Sequence, residues 1–305
     1  VPIKIFIARI LSQEDFMKLW KILVLLILVP IVGCAYLGGN KDSDELTIST
    51  TSNDTIAKTE SNALTGTSNF TFEDKEYLAE WFSCILDPQK PTVLLLHDSD
   101  TTLKKETFCD SFSAQSFLNN SYNVVSTNAP GVGKSTGTND FSGPLTIANI
   151  RAGTKASQEA NKLASPPIGA WGYSSGVIAA TFYAKSAATK LSFLILGGGI
   201  YDMEETYDKT KSITFKLKLG TLKSSSDDFF ETRSISYDVS NLPKNISIYH
   251  GEKDTFVMPS QAKDFYDSLV SSEYRASLEV LKNIGHKIND NTHFKILQVM
   301  IHPIK

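Results

Sequence analysis

The chain has 305 residues, of which 41% are hydrophobic and 21% charged, with a formal net charge of −3. That balance excludes a fibrous or wholly disordered chain and offers no basic surplus for nucleic acid. Its three cysteines, Cys34, Cys84 and Cys109, are too few for a disulfide scaffold and lack zinc-ligand spacing, so neither metal nor cofactor is expected.

Met17-Lys18-Leu19-Trp20-Lys21 precedes an apolar run from Ile22 to Val32 and then Gly33-Cys34. A basic flank, a short apolar stretch and a small terminal residue read as a secretion signal. A spanning helix would want roughly 20 apolar residues, and Pro30 and Gly33 interrupt this run. Ile31-Val32-Gly33-Cys34 also resembles the lipobox of prokaryotic lipoproteins. The resemblance implies cleavage before Cys34, diacylation of its sulfur, and an extracytoplasmic protein held on a prokaryotic membrane.

Residues 1–16 stand where such a signal has nothing, and Gln13-Glu14-Asp15-Phe16 can be encoded by a purine-rich, ribosome-binding-like tract. Translation is therefore expected to begin at Met17, which the nucleotide sequence of codons 13–16 decides. Residues 34–69 are rich in Ser, Thr, Asn, Gly and Asp, cannot bury enough apolar surface to offset ordering entropy, and are expected to form a flexible tether.

From Phe70 to the end, short apolar runs alternate with longer amphipathic ones, the pattern of one mostly parallel sheet with crossover helices on both faces. Phe70–Leu86 is predicted as an antiparallel lead-in. Strands are predicted at Thr92–His97, Tyr122–Thr127, Ile168–Gly172, Leu191–Leu196, Ile246–His250 and Leu278–Leu281. Helices are predicted near Thr107–Leu118, Thr146–Ala164, Ser175–Ala187, Ser260–Leu269 and His293–Met300. Residues 202–242 separate two strands and are expected to form a small cap. Its Lys209, Lys211, Lys216, Lys218 and Lys223 read as a solvated face, with attraction of anionic substrates or lipid headgroups as the other reading.

Chemistry concentrates beyond the carboxyl ends of these strands, as open parallel sheets require. Gly172-Tyr173-Ser174-Ser175-Gly176 follows a strand and opens a helix, the context of a G-x-S-x-G nucleophile elbow. Ile248-Tyr249-His250-Gly251-Glu252-Lys253-Asp254 is a strand ending in a loop acid, and Ile284-Gly285-His286 follows the next strand. A serine hydroxyl needs an imidazole to take its proton, and that imidazole needs a carboxylate to fix its tautomer. The order Ser174, Asp254, His286 resembles that of the α/β-hydrolase family, and the closing motifs resemble those of esterases and of peptidases related to prolyl oligopeptidase and dienelactone hydrolase.

The resemblance covers about residues 90–300. It implies an α/β-hydrolase fold and a serine hydrolase acting on small ester or peptide substrates through an acyl-enzyme on Ser174, with Asp254 as acid and His286 as base. It further implies an oxyanion hole from the backbone N–H groups of Ser175 and Ser99, with Asp98 the other candidate for the second donor. Asp98 stands where the family has glycine, and its carboxylate would repel an oxyanion unless turned away or protonated. That departure leaves a non-catalytic binding lipoprotein as the alternative.

Asp202 is a rival acid, His250 reads as structural, and His97, His293 and His302 fit no triad order. Asn128-Ala129-Pro130-Gly131-Val132-Gly133-Lys134-Ser135 nearly spells a phosphate-binding loop, but lacks its first glycine and its following helix, and is expected to be a structural turn lining the site. Cys84 and Cys109 either pair or serve as apolar fillers.

Overall fold

The computed structural model describes residues 58–186, 190–224 and 226–302. The leader, Cys34 and the tether up to residue 57 lie outside the described residues. Among the described residues no helix is long and apolar enough to cross a membrane.

The strands are β1 (Asn62–Phe72), β2 (Lys75–Ile85), β3 (Thr92–Leu96), β4 (Asn123–Thr127), β5 (Gly169–Tyr173), β6 (Phe193–Gly197), β7 (Asn245–Gly251) and β8 (Arg275–Leu281). They form one sheet in the order β1-β2-β4-β3-β5-β6-β7-β8. The first two pairings are antiparallel and the rest parallel. Val93, Leu94 and Leu95 are all fully buried because helices cover both faces of the strand that carries them.

The connecting helices are α1 (Lys105–Phe108), α2 (Phe112–Leu118), α3 (Pro144–Asn161), α4 (Gly176–Lys185), α5 (Met203–Lys209), α6 (Ile213–Lys223), α7 (Pro259–Ser271) and α8 (Asp290–Ile301). Ala114 and Phe117 of α2 pack with Ile296 and Leu297 of α8 on Val93 and Leu95. Ile147 and Ile150 of α3, Val177 and Ala180 of α4, and Phe265 and Leu269 of α7 pack with Leu94 on the opposite face. Alternate residues of β3 thus serve two cores.

Two departures from the sequence expectation shape the fold. Ordered structure starts well before residue 70, since β1 begins at Asn62 and pairs along its length with β2. The hairpin turn, Glu73-Asp74, has φ of 47° and 59°, a two-residue turn with both centres left-handed but without the Asn-Gly signature. The single helix predicted near Thr107–Leu118 is two, separated by Cys109, Asp110 and Ser111, where Cys109 bonds Cys84 of β2 in a disulfide. Ser111 then caps α2 by accepting the Ala114 N–H.

The segment expected as a cap, between β6 and β7, consists of α5, α6 and two short 3-10 turns. Ile200, Met203, Leu219 and Phe229 of the cap pack with Phe141, Ile178 and Val257 in a small core of their own. Arg233 is buried and donates through Nε to the Asp140 carbonyl at 3.0 Å, fastening the cap to the loop before α3. The cap lysines are largely engaged within the protein. Lys209 pairs with Glu205, Lys218 with Asp100, and Lys223 lies over the Tyr207 and Phe230 rings.

Sequential strands are added on one side of β3 by β4 and on the other by β5, so the order reverses between β3 and β5. Loops leaving those two strands diverge to opposite faces and leave a crevice, the place where open α/β sheets bind ligands.

Candidate active site

Ser174 occupies the turn between β5 and α4 with φ of 56°, a left-handed conformation that a serine adopts only where its surroundings enforce it. Two glycines make the turn sterically possible. A Cβ on Gly176 would stand 2.1 Å from the Leu96 carbonyl oxygen, and one on Gly172 would stand 2.6 Å from the Gly176 carbonyl oxygen. The Ser174 N–H donates to the Gly197 carbonyl at 3.0 Å, anchoring the turn to β6.

The Ser174 Oγ lies 3.0 Å from His286 Nε2, and His286 Nδ1 lies 2.7 Å from Asp254 Oδ2. An ionised carboxylate only accepts, so Nδ1 carries the ring proton and Nε2 is left as the acceptor for the Ser174 hydroxyl. That is the proton arrangement a serine nucleophile needs. Phe256 stacks on the His286 ring at 5.2 Å between centroids, and the Tyr173 hydroxyl donates to the His286 carbonyl. Tyr173 thereby ties the imidazole-bearing loop to β5, and Phe256 packs it against the loop that follows β7.

Asp254 is 3% exposed. Its Oδ1 accepts from the Phe256 and Val257 N–H groups at 2.8 and 3.0 Å, which fixes the carboxylate plane. Its Oδ2 takes His286 and also lies 3.1 Å from His250 Nε2. Burial pushes the Asp254 carboxyl up, but the bonds from His250 and His286 outweigh it and hold the group well below the usual carboxylate range. His250, read from sequence as a structural residue at a strand end, is therefore fully buried against the acid. A histidine followed by glycine at a strand end carries no signal that distinguishes this role.

The rival acid Asp202 serves a helix. Its Oδ1 accepts the Glu205 N–H at 2.9 Å as the N-cap of α5. His97 contacts Ser113 at 3.1 Å, and burial lowers its pKa to about 4. Burial, then the neighbouring His97, lowers His293 to about 3. Both are neutral aromatic fillers around Trp171 near neutral pH.

The Asn128–Ser135 loop does cradle an anion, but the anion belongs to the protein. Buried Glu80 accepts from the Lys134 N–H and from Asn128 Nδ2 at 2.8 and 2.7 Å, occupying the space a phosphate would need.

At the oxyanion side, Ser175 stands at the amino end of α4, and Ser99 follows β3. Asp98 is turned into its own loop, with Oδ1 accepting the Asp100 N–H at 3.1 Å. The Ser99 N–H donates to the Ser175 side-chain Oγ at 2.8 Å. The N–H expected as the second donor is thus engaged by the Ser175 side chain.

A cavity of about 950 Å³ opens onto Ser174 and His286. Its walls include Phe112, Phe141, Tyr173, Phe215, Phe256 and Ile288, with Lys218 and Lys287 among the few charges.

The model of the prolyl oligopeptidase family matches residues 111–300, a span that contains Ser174, Asp254 and His286 and stops short of the Asp98–Ser99 loop. An acylaminoacyl peptidase of Pyrococcus horikoshii superposes with a TM-score of 0.62 at 14% identity, over 79% of this chain and 41% of that one. An esterase of Pyrococcus furiosus gives 0.59 at 18% identity, over 79% and 91% of the two chains. An α/β serine hydrolase without lid from Xanthomonas campestris gives 0.54 at 16% identity, over 82% and 98%. No curated protein matches by sequence. These likenesses show the α/β-hydrolase fold. Against the acylaminoacyl peptidase, the chain spans about two-fifths of the partner's length.

Proposed function

Because the chain belongs to the prolyl oligopeptidase family, we propose that it is a serine hydrolase cleaving carboxylic ester or peptide bonds through an acyl-enzyme on Ser174. The observation that carries this reading is the continuous line from Ser174 Oγ to His286 Nε2 at 3.0 Å and from His286 Nδ1 to Asp254 Oδ2 at 2.7 Å. His286 takes the hydroxyl proton as Oγ attacks the carbonyl carbon, and the imidazolium that forms is balanced by Asp254. The same proton then passes to the leaving alcohol or amine. Water, deprotonated by His286, releases the acid and restores Ser174.

The aromatic walls of the cavity favour substrates with a bulky apolar group on the acyl side or the leaving side. A panel of p-nitrophenyl esters and aminoacyl-anilides of increasing apolar bulk tests this. Turnover rising with bulk and abolished by Ser174→Ala is the expected result; hydrolysis surviving Ser174→Ala would remove the acyl-enzyme.

The protein is further proposed to work outside the cytoplasm, anchored through lipidated Cys34. The Cys84–Cys109 disulfide supports an oxidising compartment. Expressed in a bacterial host, the full chain should partition into detergent, and Cys34→Ser should leave it in the aqueous phase.

A further inference from the structure

The peptide joining Asp98 to Ser99 is held at both ends. Its carbonyl accepts the Thr101 N–H at 2.8 Å, and its N–H donates to Ser175 Oγ at 2.8 Å. The Ser99 carbonyl in turn accepts from Asn139 Nδ2 at 2.7 Å. Flipping the peptide to aim its N–H elsewhere would break the bond from Thr101. The Ser175 hydroxyl, by contrast, moves by rotation about a single side-chain torsion, and it makes no capping bond to α4 that would resist. Its second neighbour is the Asp98 carboxylate, with Oδ2 at 3.4 Å.

We propose that the Ser175 hydroxyl is a gate on the oxyanion hole, occupying the Ser99 N–H until the substrate's acyl oxygen displaces it. The inference rests on the acyl-enzyme reading above. A neutral hydroxyl is a weaker acceptor than an oxygen acquiring negative charge, so exchange is least favourable with bound substrate and most favourable in the transition state. The hydroxyl already donates to Asp98 Oδ2 at 3.4 Å, and it keeps that bond as it turns from the Ser99 N–H. This gives a physical reason for a carboxylate where the resemblance leads one to expect glycine. Asp98 is a positioning residue that accepts the displaced hydroxyl, and its charge is directed at Ser175 and the Asp100 N–H.

A gate and a strut make opposite predictions. If the hydroxyl competes with the substrate, its removal frees the donor; if it merely positions the Ser99 N–H, its removal costs activity. The test is Ser175→Ala and Ser175→Gly, neither of which carries a hydroxyl. Measured are kcat and KM on p-nitrophenyl butyrate, the inhibition constant of an alkyl trifluoromethyl ketone, which presents a tetrahedral oxyanion, and the melting temperature. Expected in both variants is a kcat raised about 2- to 10-fold, the factor one net hydrogen bond is worth. The ketone should bind tighter by a similar factor, with KM within about twofold of the parent, since the interaction belongs to the transition state. A kcat unchanged or lowered in both folded variants overturns the gate while leaving the hydrolase intact. A parent protein that neither hydrolyses esters nor reacts with a fluorophosphonate at Ser174 overturns the hydrolase reading and the gate together.

Discussion

Asp254 receives two backbone N–H groups on Oδ1 and the His286 imidazole on Oδ2, and the same Oδ2 lies 3.1 Å from His250 Nε2, whose proton is shared with the Val257 carbonyl at 3.2 Å. The second imidazole, His250, touches no substrate and acts through the carboxylate. Removing it leaves Oδ2 with one donor and raises the Asp254 carboxyl, since that bond helps to hold it low. His250→Leu should lower kcat about tenfold, with the acid limb of the kcat–pH profile moved upward, while His250→Gln, which keeps an N–H donor, should restore most of both. Equal losses in Leu and Gln with an unmoved profile would mark His250 as packing alone. At this scale the meeting of Ser174, Asp254 and His286 was legible because each sits in a motif whose steric or chemical demand is local. His250 and the Ser175 hydroxyl were not, because their roles depend on residues that meet only after folding.

Among the elements, the disulfide has the clearest consequence. It ties β2 to the segment between α1 and α2, closing a loop with a sequence separation of 25. Chain-entropy arguments give such a closure about 3 kcal/mol of stability. The Cys84→Ala, Cys109→Ala double variant should therefore be less stable to guanidinium by that free energy, with a somewhat steeper slope because the uncrosslinked unfolded chain exposes more surface, and a loss below about 1 kcal/mol would contradict the assignment. The interruption of the predicted helix at Cys109 has the same origin, since the apolar periodicity around it suits a helix while the crosslink holds Cys109 against β2. The edge strand β1 was missed for a different reason. Its NALTGTSNFTF sequence is exposed or half-buried at every position, and its partner is the backbone of β2. A composition test for apolar burial therefore assigns most of it to a tether. Of the strands covered on both faces, β3 (TVLLL) and β6 (FLILG) carry their signal in runs of Val, Leu and Ile, and all of β3 to β7 were found within two residues.

For the molecule as a whole, two histidines with lowered pKa values make folding pH-dependent. His97 and His293 are lowered from 6.5 to about 4 and about 3, mainly by burial, so below pH 6.5 the unfolded chain binds protons that the folded protein refuses. Stability from these groups is complete above pH 6.5 and falls as the pH drops toward their folded values. Between pH 6.5 and pH 5 each costs roughly 2 kcal/mol. Asp254, held low, adds a further loss only below its ordinary value near 3.8. Melting temperature should thus decline from pH 7 to pH 5, and His293→Phe should flatten that decline; a profile unaltered by the substitution would contradict it. Both histidines sit where α2, α8 and β5 converge, a site no pattern in the sequence could place, although the sheet order around it follows from the alternation of strands and helices.

The central claim is that Ser174, His286 and Asp254 act as one nucleophilic unit. It is tested most directly by treating the folded protein with a fluorophosphonate and mapping the adduct by mass. A single adduct on Ser174 is predicted, absent in His286→Ala at the same exposure. No adduct on folded protein, or equal labelling without the imidazole, would contradict the account.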